Sequence, residues 1–210
     1  MSCRKYLLLV LASLVAACGE PKTDEAVDFF GTLEPLAADA VYFIVTDRFV
    51  DGDPSNNFPE QGGTDELRSF DRPIQLEGKT PANIGYLGGD FKGIVDNADY
   101  IADLGFSALW ITPIVENPDE AFTGSTAPGE GTFADKGKSG YHGYWGVNFF
   151  EVDEHLESDG LAFADFTATL KSEHDIKFIL DVVCNHGSPA YTMPEDQPMY
   201  GELYDADGTL

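Results

Sequence analysis

Apolar residues in this chain gather in short runs separated by long polar stretches, and the runs alternate between two periods. Val41 to Val45 is a compact apolar run of strand length. Residues 46 to about 90 carry little periodicity and many Gly, Pro, Asp and Asn, which predicts a long ordered loop of the kind that usually has a function. Phe91, Ile94, Val95, Ala98, Ile101 and Ala102 then fall on one helical face, with Gly105 placed to stop the helix. Ala108 to Ile111 reads as a second buried strand, and Pro113 to Gly140 as another loop rich in Gly and Pro. Phe163, Phe166, Thr167 and Leu170 mark a second amphipathic helix, and Lys177 to Val183 a third strand.

The order is strand, loop, helix, strand, loop, helix, strand, loop. It predicts an α/β fold of parallel strands joined by helical crossovers. The long insertions follow the strands, while the connections after the helices are short. That asymmetry is what a parallel α/β barrel with its working face at the strand C-termini would show. A doubly wound open sheet fits less well, because no Gly-rich phosphate loop follows the first strand. The third strand ends in Asp181-Val182-Val183-Cys184-Asn185-His186, a carboxylate, an amide and an imidazole in quick succession. A period of 2 puts Asp181, Val183 and Asn185 on one face and Cys184 and His186 on the other.

Charge narrows the partners. With 37 acidic residues against 12 basic ones, the chain has no electrostatic route to nucleic acid or an anionic membrane surface. Most of that excess reads as solvated surface. At the N-terminus, Arg4 and Lys5 precede the short apolar stretch Leu7 to Val15, which ends in Val15-Ala16-Ala17-Cys18. This resembles a bacterial lipobox, predicting a signal peptide over 1–17 and a lipid anchor at Cys18. Its removal moves the formal charge from −25 to −27. Gly19 stands where an inner-membrane-retaining Asp would be, which favours an exported lipoprotein of the outer membrane. Residues 18–39 then read as an acidic tether. With Cys3 removed and Cys18 lipidated, Cys184 has no disulfide partner and is expected to be a small buried strand residue.

Three segments bear chemistry. Asp51, Asp53, Asn56 and Asn57 place four oxygen-bearing side chains around turn-forming Gly52 and Pro54. A hard cation such as calcium takes such oxygens, and so does an ordinary turn. Gly88 and Asp90 precede the first helix; Asp90 reads equally as an N-cap or, with the Gly88 carbonyl, as a ligand to the same ion. In Gly140-Tyr141-His142-Gly143-Tyr144-Trp145-Gly146, aromatic rings alternate with glycines. That composition suits a stacking platform for pyranose rings, or a packed aromatic corner.

Taken in order, Thr46-Asp47-Arg48-Phe49 with the Asp/Asn loop, Gly88-Gly89-Asp90, Leu109-Trp110-Ile111-Thr112-Pro113, Tyr141-His142-Gly143-Tyr144-Trp145 and Asp181 to His186 resemble the N-terminal part of an α-amylase-family glycoside hydrolase. The bacterial amylase and cyclodextrin glycosyltransferase branch is the most similar. The resemblance implies a (β/α)8 barrel, here 40–186, that cleaves α-glucosidic bonds with retention, and an inserted domain beginning at 187–210. It implies calcium held by Asp51, Asp53, Asn56, Asn57, Gly88 and Asp90, with Asp53 where the branch usually has Asn, and a second calcium site that Asn185 joins. It implies an α-glucan or malto-oligosaccharide stacked on Tyr144, with Trp145 alongside and His186 bonded to a sugar hydroxyl. Asp181 would be the buried partner of an Arg on a later strand. The paired carboxylates of a retaining glycosidase belong, by the same resemblance, to later strands, so this stretch is expected to be inactive alone. Two other readings are a transglycosylase of the cyclodextrin glycosyltransferase type and a non-catalytic glucan-binding surface lipoprotein.

Overall fold

The computed structural model describes residues 34–75, 78, 80–122 and 137–188. The expected signal over 1–17, Cys18 with its lipid, most of the tether and nearly all of 187–210 lie outside the described residues. The chain divides into two units, 1–38 and 39–210. Of the first, the described part is a 3-10 turn, Pro35–Ala38.

In the second unit the elements run β1 (Val41–Ile44), β2 (Pro73–Ile74), β3 (Ala82–Asn83), α1 (Phe91–Asp96), α2 (Ala98–Asp103), β4 (Ala108–Ile111), β5 (Val115–Glu116), β6 (Asn148–Val152), α3 (Phe163–His174) and β7 (Lys177–Leu180). The three apolar runs form one parallel sheet in the order β1-β4-β7. Its register lines up Tyr42, Leu109 and Phe178 in one row across the sheet, and Ile44, Ile111 and Leu180 in another. β2 pairs with β3, and β5 with β6, as two small antiparallel ribbons in the loops that follow β1 and β4.

Alternation gives the sheet two faces. Ile44, Leu109 and Ile111 are buried in a cluster with Phe91, Ile94, Ala98, Ile101, Phe166 and Leu170 from the helices. Phe91 stacks on Phe166 at 4.4 Å, and Phe178 meets Phe166 edge-on at 5.5 Å. Each such side chain removed from water contributes about 1.5–3 kcal/mol, so this layer is what fixes the helices against the sheet. On the other face Phe43 and Trp110 touch edge-on at 4.9 Å and stay 47% and 40% exposed.

The observed elements differ from the expected ones in three places. The first predicted helix is two, broken at Asn97, whose side chain donates to the Gly93 carbonyl at 2.8 Å and so competes with the helical ladder. Gly105 does end it, with its N–H on the Ala102 carbonyl at 2.8 Å. The third strand stops at Leu180 rather than Val183, because the ladder to β4 ends with the Ile111–Leu180 pair. Cys184, expected to be buried, is exposed for the same reason: it lies beyond the paired region, with no neighbouring strand against it among the described residues.

Candidate functional site

The loop after β1 folds back on the start of α1. Asp51 bridges to Gly89, and the Asp90 carboxylate draws the loop in, accepting N–H bonds from Gly52 (3.1 Å), Asp53 (2.8 Å) and Gly93 (2.6 Å). Asp90 is therefore the N-cap of α1 and the anchor of the Asp/Asn loop at once. Burial raises its pKa, against the pull of those hydrogen bonds. The Asn57 amide donates to Asp51 Oδ2 at 2.8 Å. Gly88, at φ 88°, faces this pair so closely that a Cβ there would stand 2.2 Å from Asn57 Oδ1 and 2.9 Å from Asp51 Oδ2.

Two features fit a hard cation. The side-chain oxygens of Asn56 and Asn57 are buried without a donor, and two carboxylates lie beside them, one hydrogen-bonded to each amide. An oxygen-rich, donor-poor group is what such an ion requires. Asp53 points elsewhere: its carboxylate caps the 3-10 turn Pro54–Asn56, accepting from Ser55 N at 3.0 Å and Ser55 Oγ at 2.6 Å. The Ser55 hydroxyl bond is the main reason its pKa is lowered.

The aromatic loop lies beyond the C-terminal ends of β4 and β7. Gly143 adopts φ 79° and sits against Pro113, where a Cβ would be 2.2 Å from the carbonyl oxygen, so the turn over the end of β4 needs glycine there. The half-buried Tyr144 is held at three points. Its N–H donates to His142 Nδ1 at 3.0 Å, its carbonyl accepts from His186 Nε2 at 3.0 Å, and its hydroxyl donates to Asp181 Oδ2 at 2.7 Å. The same Asp181 oxygen takes the Trp110 indole N–H at 3.3 Å. Burial, then the Asp181 hydrogen bond and charge, push the Tyr144 phenol up to about 12.

Tyr144 and His186 are thus brought together across 42 positions. In this arrangement His186 Nε2 carries the proton given to Tyr144, and Nδ1 accepts from Asn185 Nδ2 at 2.9 Å. Trp145 is half-buried, with its ring edge-on to His142 at 4.7 Å and tilted against Phe122 at 5.4 Å. Asn185 is exposed, well apart in the chain from the Asp51 loop, and makes its contact to His186.

Several residues that carry the site had no role assigned from sequence. The buried Asp47 accepts from Leu87 N (2.8 Å) and Gly88 N (3.0 Å) and contacts Arg48 at 3.3 Å. Burial pushes it up to about 6. Arg48 donates to the Asn83 and Gly85 carbonyls and lies 3.7 Å over the Tyr141 ring, which ties the first loop to the aromatic one. Asp153 accepts from Asn117 N and His155 N, and Asn117 Oδ1 in turn accepts from Trp145 N at 3.0 Å. His155 stacks on Tyr86 at 3.9 Å. Beside this hub, carboxylate oxygens of Glu116, Asp119 and Glu154 lie within 4.8 Å of one another. Burial first, then the charges of Asp153 and Glu154, push the Glu116 carboxyl well above the usual carboxylate range. The only signal for these residues in the sequence is Asp47-Arg48 inside a recognisable motif; the others are isolated polar residues in loops.

The family described as "Alpha amylase, catalytic domain" matches residues 43–200. Cyclomaltodextrin glucanotransferase of Thermoanaerobacterium thermosulfurigenes is 35% identical over 98% of this chain and 26% of its own length. An α-amylase of Niallia circulans is 29% identical over 97% of this chain and 34% of its own length. The crystal structure of a cyclomaltodextrin glucanotransferase with a three-domain ABC distribution superposes with a TM-score of 0.60 at 33% identity, covering 81% of this chain and 30% of that one. The chain spans about a quarter of the length of the curated relatives it matches first. Parallel staves with the site on their C-terminal rim, and a family match over most of the residues, lead to one conclusion: this chain belongs to the α-amylase family, with the fold of its (β/α)8 catalytic domain.

Proposed function

We propose that the full-length protein is a retaining α-glucan hydrolase of the α-amylase type, acting on starch or malto-oligosaccharides. The observation that carries this reading is the contact between His186 and Tyr144 at the strand ends. It sets an imidazole N–H beside a half-exposed phenol ring, the pairing a pyranose needs for one polar and one stacking contact. A sugar hydroxyl then shares the His186 Nε2 proton with the Tyr144 carbonyl, and Trp145 widens the platform. The bond-breaking carboxylates are supplied by other strands of the barrel. The test is incubation of the full-length protein with soluble starch, with NMR of the first-formed products. New reducing ends released as the α-anomer support the reading; no turnover, or β-anomer products, would overturn it.

A transglycosylase of the cyclodextrin-forming type is the second reading, favoured by the names of the relatives at about a third identity. Cyclic products that resist exo-acting glucosidase would select it over hydrolysis.

The reading includes one calcium ion held by Asp51, Asn56, Asn57, the Gly88 carbonyl and Asp90, with the Asp53 carboxylate capping the turn Pro54–Asn56 instead. Bound there, the ion supplies fixed positive charge that satisfies the buried amide oxygens and ties the loop to α1. Asn185 is proposed as a contributor to a second calcium site. A lipid at Cys18 would hold the enzyme on the outer membrane; loss of palmitate labelling in Cys18→Ser is expected, and undiminished labelling would refute it.

A further inference from the structure

We propose that His142 is a positioning residue, which fixes Tyr144 and Trp145 as a platform by accepting the Tyr144 N–H at Nδ1. The claim rests on the α-glucan reading above for its ligand. Two of the three bonds on Tyr144 come from residues at or beyond the end of β7, Asp181 and His186. The third, from its N–H to His142 at 3.0 Å, is the only one of the three made inside the loop. That loop has glycine at 140, 143 and 146, residues with no side chain that could hold Tyr144 from within the loop.

The His142 ring does more than accept one bond. It lies 5.9 Å from the Tyr144 ring at 29°, and 4.7 Å from Trp145 at 88°. One side chain therefore touches both platform rings and spans Gly143 to reach the next backbone N–H. Nδ1 can accept only while it carries no proton. Burial, helped by the nearby Lys138, Arg48 and His186, pushes the imidazole down to about 3, so the acceptor persists at any ordinary working pH.

The geometry is that of an Asx turn, in which an Asn or Asp side-chain oxygen accepts the N–H two residues on. Nδ1 of His and Oδ1 of Asn occupy the same position along the side chain. His142→Asn should therefore keep the bond without the ring, and His142→Phe the ring without the bond. In the full-length protein, titrated with maltohexaose by calorimetry, His142→Phe should bind about fivefold more weakly, the worth of one hydrogen bond. His142→Asn should recover to within about twofold of the parent. Exchange of the Tyr144 amide with deuterated water should accelerate in His142→Phe and return to the parent rate in His142→Asn. Parent-like binding in His142→Phe, or His142→Asn no better than His142→Phe, would overturn the proposal. If the parent protein binds no maltohexaose, the α-glucan reading fails instead, and the amide exchange alone decides whether His142 positions Tyr144. Should His142→Phe not fold, His142→Ala, which also lacks the acceptor, replaces it in both measurements.

Discussion

A half-buried imidazole that must stay neutral leaves a signature in stability as well as in binding. The pKa of His142 falls from an ordinary 6.5 to about 3, chiefly through burial. Between those values the unfolded chain binds a proton that the folded chain does not. The stability due to this group is complete above 6.5 and is lost as pH falls toward 3, at up to about 1.4 kcal/mol per pH unit. Replacing His142 by Asn removes the titration, so urea unfolding from pH 7 down to pH 4 should show a shallower loss in the variant than in the parent. Equal slopes would mean that the ring is solvated. Asp47 is shifted the other way: burial holds its pKa at about 6, above the usual 3.8. Its contribution is complete below 3.8 and lost as pH rises through 6, so the two residues oppose each other over the mildly acidic range.

At the level of elements, the loop after β1 and the start of α1 are one unit. Its backbone is fixed by Asp90 and Asp47, while its amide oxygens at Asn56 and Asn57 are buried without a donor. Chelation should lower the melting temperature of the full-length protein, and added calcium should restore it; a site at 100-fold saturation contributes about 2.7 kcal/mol. Gly88→Ala forces a Cβ to within 2.2 Å of Asn57 Oδ1 at a φ of 88°, which costs about 1–3 kcal/mol, and it should abolish the calcium-dependent part of the melting shift. A calcium response of parent size in Gly88→Ala would remove Gly88 from the site. How much of this was legible in the sequence follows from range. The three strands and the helical faces were visible because burial and period coincide within ten residues or so. The break at Asn97 depends on one side chain choosing the Gly93 carbonyl, which periodicity does not register. The β5–β6 ribbon joins segments about 30 residues apart, and its few alternating positions lie inside aromatic and polar loops. The hub residues Asp153, His155 and Asn117 sit in loops with no periodicity to mark them, and the contacts that build the hub, Asn117 to Asp153 across 36 positions and His155 on Tyr86, join separate loops. Cys184 was misplaced because a period of 2 was carried past the end of the ladder.

For the molecule as a whole, the parallel sheet turns one face to its helices and the other, with Phe43 and Trp110, to solvent. In a (β/α)8 barrel that second face is filled by layers of side chains from alternate strands. The strands therefore serve the site in two ways: their inward residues belong to a barrel core, and their C-terminal ends carry Asp181, Tyr144 and His186 to one rim. The net charge of −25 keeps the surface soluble and steers away polyanions, which leaves a neutral polymer as a compatible ligand. The proposed function requires one sugar to touch both Tyr144 and His186. The most direct measurement is a crystal structure of the full-length protein with an uncleavable, sulfur-linked malto-oligosaccharide. The expected result is a glucose ring stacked on Tyr144, with one of its hydroxyls about 3 Å from the His186 imidazole. A saccharide bound elsewhere in the barrel, with neither side chain in contact, would contradict it.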